Sequence, residues 1–238
     1  MAAGLVTLVL GLIIFFPARV AYHWFAPQSI SLAGIEGSIW SGNAREAQAS
    51  GIYLSDVVWR MRPLALFSGK LGFELKASPS GGFVECNVGL GIGGTVLLTN
   101  LKAALSLQEL QQSTAIPGLD GKVNATFERL LLENGIPLAA DGIMEVADLV
   151  APMVLGSSIG GYRAEFFTQE SGVMASVEDT DGVADLAGSL QISSDGSFQF
   201  IAQIAAKSNT PAILRQQMAL LGSANERGQR ELRLEGKL

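Results

Sequence analysis

The chain has 238 residues and a formal net charge of −6, and its Lys and Arg residues are scattered, so the basic stripe that a nucleic-acid partner needs is missing. A single cysteine, Cys86, rules out an internal disulfide, and a single histidine, His23, leaves no Ser-His-Asp set or His/Cys zinc site for the rest of the chain. Glycine is abundant, 28 residues, well above the usual share of about 7%, which suits bent strands and tight turns.

The first sixteen residues carry no ionisable side chain. Leu5, Val6, Leu8, Val9, Leu10, Leu12, Ile13, Ile14, Phe15 and Phe16 read as the apolar body of a transmembrane anchor. As helix these sixteen residues rise only about 24 Å, and continuation to Phe25 reaches the roughly 30 Å of a hydrocarbon core, placing Tyr22 and Trp24 at headgroup level. A cleaved secretory signal fits less well, because no basic residue precedes the apolar run and a cut after Ala18 or Ala21 leaves Phe16 or Arg19 at position −3. The expected organisation is an anchor over 1–25 and one β domain over 26–238.

Beyond residue 29 the dominant signal is alternation of period two, the pattern of strands with one apolar face. Leu71, Phe73, Leu75 and Ala77 alternate with polar residues, as do Val123, Ala125 and Phe127, then Phe198, Phe200, Ala202 and Ile204, and near the end Leu232 and Leu234. Turn residues at 80–82, Asn134-Gly135, Asp141-Gly142, Ser171-Gly172, Asp181-Gly182 and Asp195-Gly196 separate these runs and predict sequential antiparallel hairpins. Two short helices are expected between strands. Ser106 and Glu109 form a capping-box pattern opening one to Gln112; Thr210 caps the other, with Pro211 in its first turn, Leu214, Met218 and Leu221 at helical spacing and Gly222 past its end. The expected fold is mainly β: an N-terminal transmembrane helix, then a curved antiparallel sheet or partly open barrel with two short helices.

No constellation points to catalysis or to a metal or cofactor. Gly89, Gly91 and Gly94 match the letters of a dinucleotide motif, but strand continues after them where a helix N-terminus is needed. Glu178, Asp179, Asp181 and Asp185 cluster without the spacing of a calcium loop and read as a solvated hairpin turn. Glu74 and Glu85 can meet across strands, with nothing to mark them as an acid/base couple. Trp40 and Trp59 concentrate packing area on a domain poor in aromatics, and Arg60 and Arg62 share the strand face opposite Trp59; these four are the candidate partner contacts.

The run Gly34-Ile-Glu-Gly-Ser-Ile-Trp-Ser-Gly-Asn-Ala44, the run Trp59-Arg-Met-Arg-Pro-Leu64 after it, and the tail from Pro211 to Leu238 with Leu221-Gly222, Gly228 and Leu234-Glu235-Gly236 together resemble the type II secretion system protein N family. The resemblance implies a non-enzymatic accessory protein of the bacterial inner membrane, single-pass with the bulk of the chain in the periplasm, whose partners are other type II secretion system components and the membrane itself. The alternative is an envelope module that binds or transfers a lipid or other hydrophobic ligand in an apolar β groove, motivated by glycine-rich strands with one apolar face. Neither reading involves nucleic acid.

Overall fold

A computed structural model describes residues 11, 15–25, 30–49, 52–63, 71–79, 81–91, 94–108 and 118–238. In chain order the elements are α1 (Ala18–Phe25), β1 (Ile30–Ala33), β2 (Glu36–Gly37), β3 (Ser41–Ala49), β4 (Ile52–Met61), β5 (Leu71–Ala77), β6 (Phe83–Leu90), β7 (Thr95–Ser106), β8 (Asp120–Glu133), β9 (Ile136–Val150), β10 (Ser158–Gln169), β11 (Gly172–Asp179), β12 (Ala184–Ser193), β13 (Ser197–Ala206), α2 (Ala212–Ala219) and β14 (Arg230–Lys237). The strands form one antiparallel sheet in which, from β3 to β14, each strand pairs with the next in sequence; β1 pairs with β3 at the other end, and the two-residue β2 is added to β3 as well. The sheet is open. Among the described residues its end strands do not pair with each other, so the partly open barrel is corrected to an open meander.

Alternation sets which side chains share a face, and the register turns that into transverse rows. One row crosses eight strands: Leu101, Phe127, Gly142, Phe166, Ala175, Leu190, Phe200 and Leu234 stand opposite one another in sequence from β7 to β14. Large and small residues alternate along its centre. The rings of Phe127 and Phe166, two strands apart, close over Gly142 with centroids 5.3 Å apart, and a Cβ at Gly142 would stand 2.7 Å from the Phe127 ring. Phe127 and Ala175 are buried, and the main core grows around the row from Ala140, Val173 and Ile192, with Leu130 and Phe198 packed against it.

The sheet is not flat. Backbones of β9 and β11 approach within 8 Å although β10 lies between them, whereas two flat interstrand steps measure about 9.6 Å. Register shifts occur at Glu85/Asn87, Phe127/Arg129, Asp120/Lys122 and Gly160/Tyr162, the local irregularities that raise twist and bend a sheet. Asn100 and Asp148, next to two of them, adopt positive φ of 52° and 54°, which Asn and Asp tolerate best among non-glycine residues.

At the N-terminal end the structure departs from expectation. Among the described residues no helix is long and apolar enough to cross a membrane. The expected transmembrane helix is therefore corrected, and the single-pass inner-membrane placement and the inner membrane as a partner lose their support with it. Of the anchor residues, Leu5, Val6, Leu8, Val9, Leu10, Leu12, Ile13 and Ile14 lie outside the described residues. Phe15 is exposed, and the Phe16 ring meets Trp24, itself largely exposed, in a tilted contact with centroids 6.1 Å apart. Residues 18–25, expected to finish the span, form an eight-residue helix about 12 Å long that docks on the sheet instead. Ala18 is buried against Ile35 and Ala44, the Arg19 guanidinium donates to the Ile35 carbonyl at 2.7 Å, and the Tyr22 hydroxyl accepts the Leu32 N–H.

Of the two expected internal helices, only α2 falls on described residues in full. Residues 109–112 lie outside the described residues; before them β7 runs through Ser106, whose hydroxyl accepts the Gln108 N–H in a turn. Helix α2 begins at Ala212 with Pro211 at its cap and no side-chain capping bond, so Thr210 is not its cap. Thr210 is almost completely buried; it accepts the Lys207 N–H and donates to the Val183 carbonyl. Leu214 and Met218 pack on Ala184, Val183 and Ile204.

Candidate functional site

The candidate contact residues converge on one corner, built by the hairpin of β2 and β3. Gly37 and Gly42 stand opposite each other where the two strands meet. Gly37 has φ +89°, and a Cβ on Gly42 would sit 2.4 Å from the Glu36 carbonyl and 2.5 Å from the Trp59 indole. The turn between them is closed by Ser38, whose N–H donates to the Ser41 carbonyl at 2.9 Å and whose hydroxyl accepts the N–H groups of Trp40 and Ser41. Trp59, opposite Gly42 on β4, lies over this narrow point and donates its indole N–H to the Ser38 carbonyl at 3.2 Å.

The same corner holds the N-terminal segment. Ile39 N–H donates to the Phe16 carbonyl at 3.1 Å, Pro17 bridges Ser38, and the Trp40 carbonyl accepts the Met61 N–H. The glycines, serines and single Trp of residues 34–44 thus encode a clamp between α1 and the first strands. Trp40 and Trp59 are both half-buried within it. Arg60 and Arg62 are exposed; Arg60 stands in register with Ser41 and Glu74 on the opposite face from Trp59, and Arg62 lies one residue past the end of β4 with its N–H on the Gly72 carbonyl. The structure therefore gathers all four residues at one corner while splitting them between a packed pair of aromatics and an exposed pair of cations.

Other sequence candidates find ordinary structural roles. Lys76 sits between Glu74 and Glu85, 3.7 and 3.2 Å from their carboxylates, so the two acids share a cation. Gly91 and Gly94 flank the connection from β6 to β7. The acidic cluster is not uniformly solvated, contrary to its reading as a solvated hairpin turn. Asp181 accepts the Gly161 N–H, and Asp179 turns inward to pair with Lys207 and to accept the Leu186 N–H. Cys86 is buried, and burial pushes its thiol up to about 11, which keeps it protonated and unreactive. What sequence reasoning missed is Lys207: nothing nearby in the chain signals that its partner lies 28 residues earlier.

Comparison with known proteins adds the family. The sequence model of type II secretion system (T2SS), protein N, matches residues 28–233. The chain is similar to a type II secretion system protein N of Vibrio cholerae serotype O1, 23% identical over 97% of this chain and 94% of that protein. It is also similar to one of Pectobacterium carotovorum subsp. carotovorum, 22% identical over 93% of this chain and 90% of that protein. No solved structure matches it. Proteins of this family are accessory and non-catalytic. With that model spanning the meander from β1 to the first half of β14, the chain belongs to the type II secretion system protein N family.

Proposed function

We propose that this protein is a non-catalytic accessory component of a type II secretion system and acts through contacts with other proteins of that system. The observation that carries the reading is the family match across residues 28–233, supported by two relatives of nearly equal length that bear the system's name. The mode of action follows from the surface. Trp59 spends its indole N–H and Trp40 its backbone N–H and carbonyl inside the clamp, and both rings are half-buried there, so they position the corner, while the exposed Arg60 and Arg62 are the groups placed to meet an acidic partner surface.

Deletion of the gene in a host with an active system is expected to lower extracellular levels of its secreted substrates, with complementation by the intact gene. Replacement of both arginines, Arg60→Glu with Arg62→Glu, is expected to reproduce part of the defect at unchanged protein level. Normal secretion of every substrate in the deletion strain overturns the reading. A full defect on deletion with none from the arginine pair moves the contact surface elsewhere and keeps the role.

A further inference from the structure

Strand β14 closes the meander with an edge that no other strand pairs among the described residues, and its residues from Arg233 to Lys237 are all exposed. The Leu238 N–H donates to the Gly196 carbonyl at 2.9 Å, in phase with the register that sets Phe198 against Gly236 and Phe200 against Leu234. Even-numbered residues of β14 therefore direct their N–H and C=O groups to β13, and Glu231, Arg233, Glu235 and Lys237 direct theirs outward. The side chains of those four residues share one face, and Leu232, Leu234 and Gly236 share the other. Exposed edges in natural sheets are usually blunted by charged side chains, Lys above all, by bulges or by a covering element. Here the four charges alternate in sign along the strand.

We propose that β14 is a self-association edge, pairing antiparallel with β14 of a second copy of this chain about a two-fold axis at Leu234. In that register Arg233 faces Glu235 of the second copy and Glu231 faces its Lys237, each pair occurring twice and each at a hydrogen-bonded position. Arg233 and Glu235 already lie 2.6 Å apart within one strand, so the dimer gathers them into a four-charge cluster of alternating sign. Neighbouring registers lack this match: an axis at Arg233 sets Glu231 against Glu235, and pairing Arg230 with Lys237 opposes two cations. The apolar face agrees. Leu234, 52% exposed, is the uncovered end of the row that begins at Leu101, and the axis brings it against its own counterpart, so two open sheets continue as one. This inference stands independently of the secretion role.

The test is oxidative cross-linking of the full chain carrying Leu234→Cys, together with sedimentation of the unaltered chain. A two-fold at Leu234 places residue 234 opposite itself at a non-hydrogen-bonded position, where Cα atoms are about 4.5 Å apart and within disulfide range. Cys86 is buried and does not compete. The expected result is a concentration-dependent dimer of the unaltered chain and a reducible homodimer of Leu234→Cys. Adding Arg233→Glu, which opposes like charges twice, is expected to cut the cross-linked fraction on the order of tenfold, and the swap Arg233→Glu with Glu235→Arg to restore it. A chain that stays monomeric with no cross-link at residue 234 overturns the proposal. So does a cross-link that ignores the charge reversal, or one that instead joins Leu234→Cys to Leu32→Cys on β1 of another copy.

Discussion

Asp179, at the end of β11, shows how much one side chain ties together. One carboxylate oxygen accepts the Leu186 N–H at 2.7 Å, the other pairs with Lys207, and Lys207 in turn donates to the Gly182 carbonyl at 3.1 Å, so β11, β12 and the segment leading to α2 share one ionic node. Burial raises the Asp179 carboxyl, but the hydrogen bond from Lys207, the Leu186 N–H and the Lys207 charge outweigh it and hold the group below the usual aspartate value. A carboxyl held low contributes stability that is present above its unfolded value near 3.8 and lost as pH falls through the lower folded value. Asp179→Asn is therefore expected to cost about 2 kcal/mol at pH 7, the scale of a charged hydrogen bond. The gap between parent and variant should narrow below about pH 4, when the parent's carboxyl protonates too. Urea midpoints at pH 7 and pH 3 check both statements, and a gap that widens in acid contradicts the assignment.

At the scale of elements, α2 is fastened less by its own ends than by Thr210 before it. Replacing Thr210 with Val keeps the shape and leaves the half-buried Lys207 N–H and Val183 carbonyl without their hydroxyl partner, an expected loss of about 1–2 kcal/mol, with Thr210→Ser recovering most of it. Amide exchange in Ala212–Ala219 should rise with that loss. The helix itself was legible, because Pro211 and the spacing of Leu214 and Met218 are local signals. The role of Thr210 was not, since its carbonyl partner sits 27 residues away. The same division runs through the sheet: alternation reveals that Phe198 and Phe200 belong to strands, but register depends on bulges and on long-range partners such as Gly142 beneath two rings. At the N-terminus, apolar length and flanking aromatics suggested a span through Phe25, whereas Arg19, Tyr22 and Ala18 are taken up by carbonyls, amides and small side chains of the first strands. Trp40, Trp59, Arg60 and Arg62 could be named from sequence; that they share a corner, its aromatics holding the clamp and its arginines exposed, required the register of β2, β3 and β4.

Across the whole molecule, stability has no single deep core to draw on, because one open sheet buries its apolar face strand by strand. The largest cluster belongs to the long strands β8 to β12, centred on Phe127, Ala140, Val173 and Ile192, and a separate pair of clusters around Ala44 and Ala47 serves β3 to β5 and α1. Removing a side chain in the middle of the transverse row should therefore be costly and regional. Phe127→Ala is expected to lose about 3–5 kcal/mol, since it deletes a buried ring and uncovers Gly142 and Phe166 together. Amide exchange should then accelerate most in β8 to β12, while the Trp59 corner, fastened by its own hydrogen bonds, keeps more of its protection. Leu234→Ala, at the exposed end of the same row, should cost an isolated chain less than about 1 kcal/mol, because half of that residue already meets solvent. Hydrogen exchange on the two variants separates these ideas: an equal rise in exchange from β3 through β13 in Phe127→Ala means that the sheet unfolds as a single cooperative unit, and the regional picture is wrong.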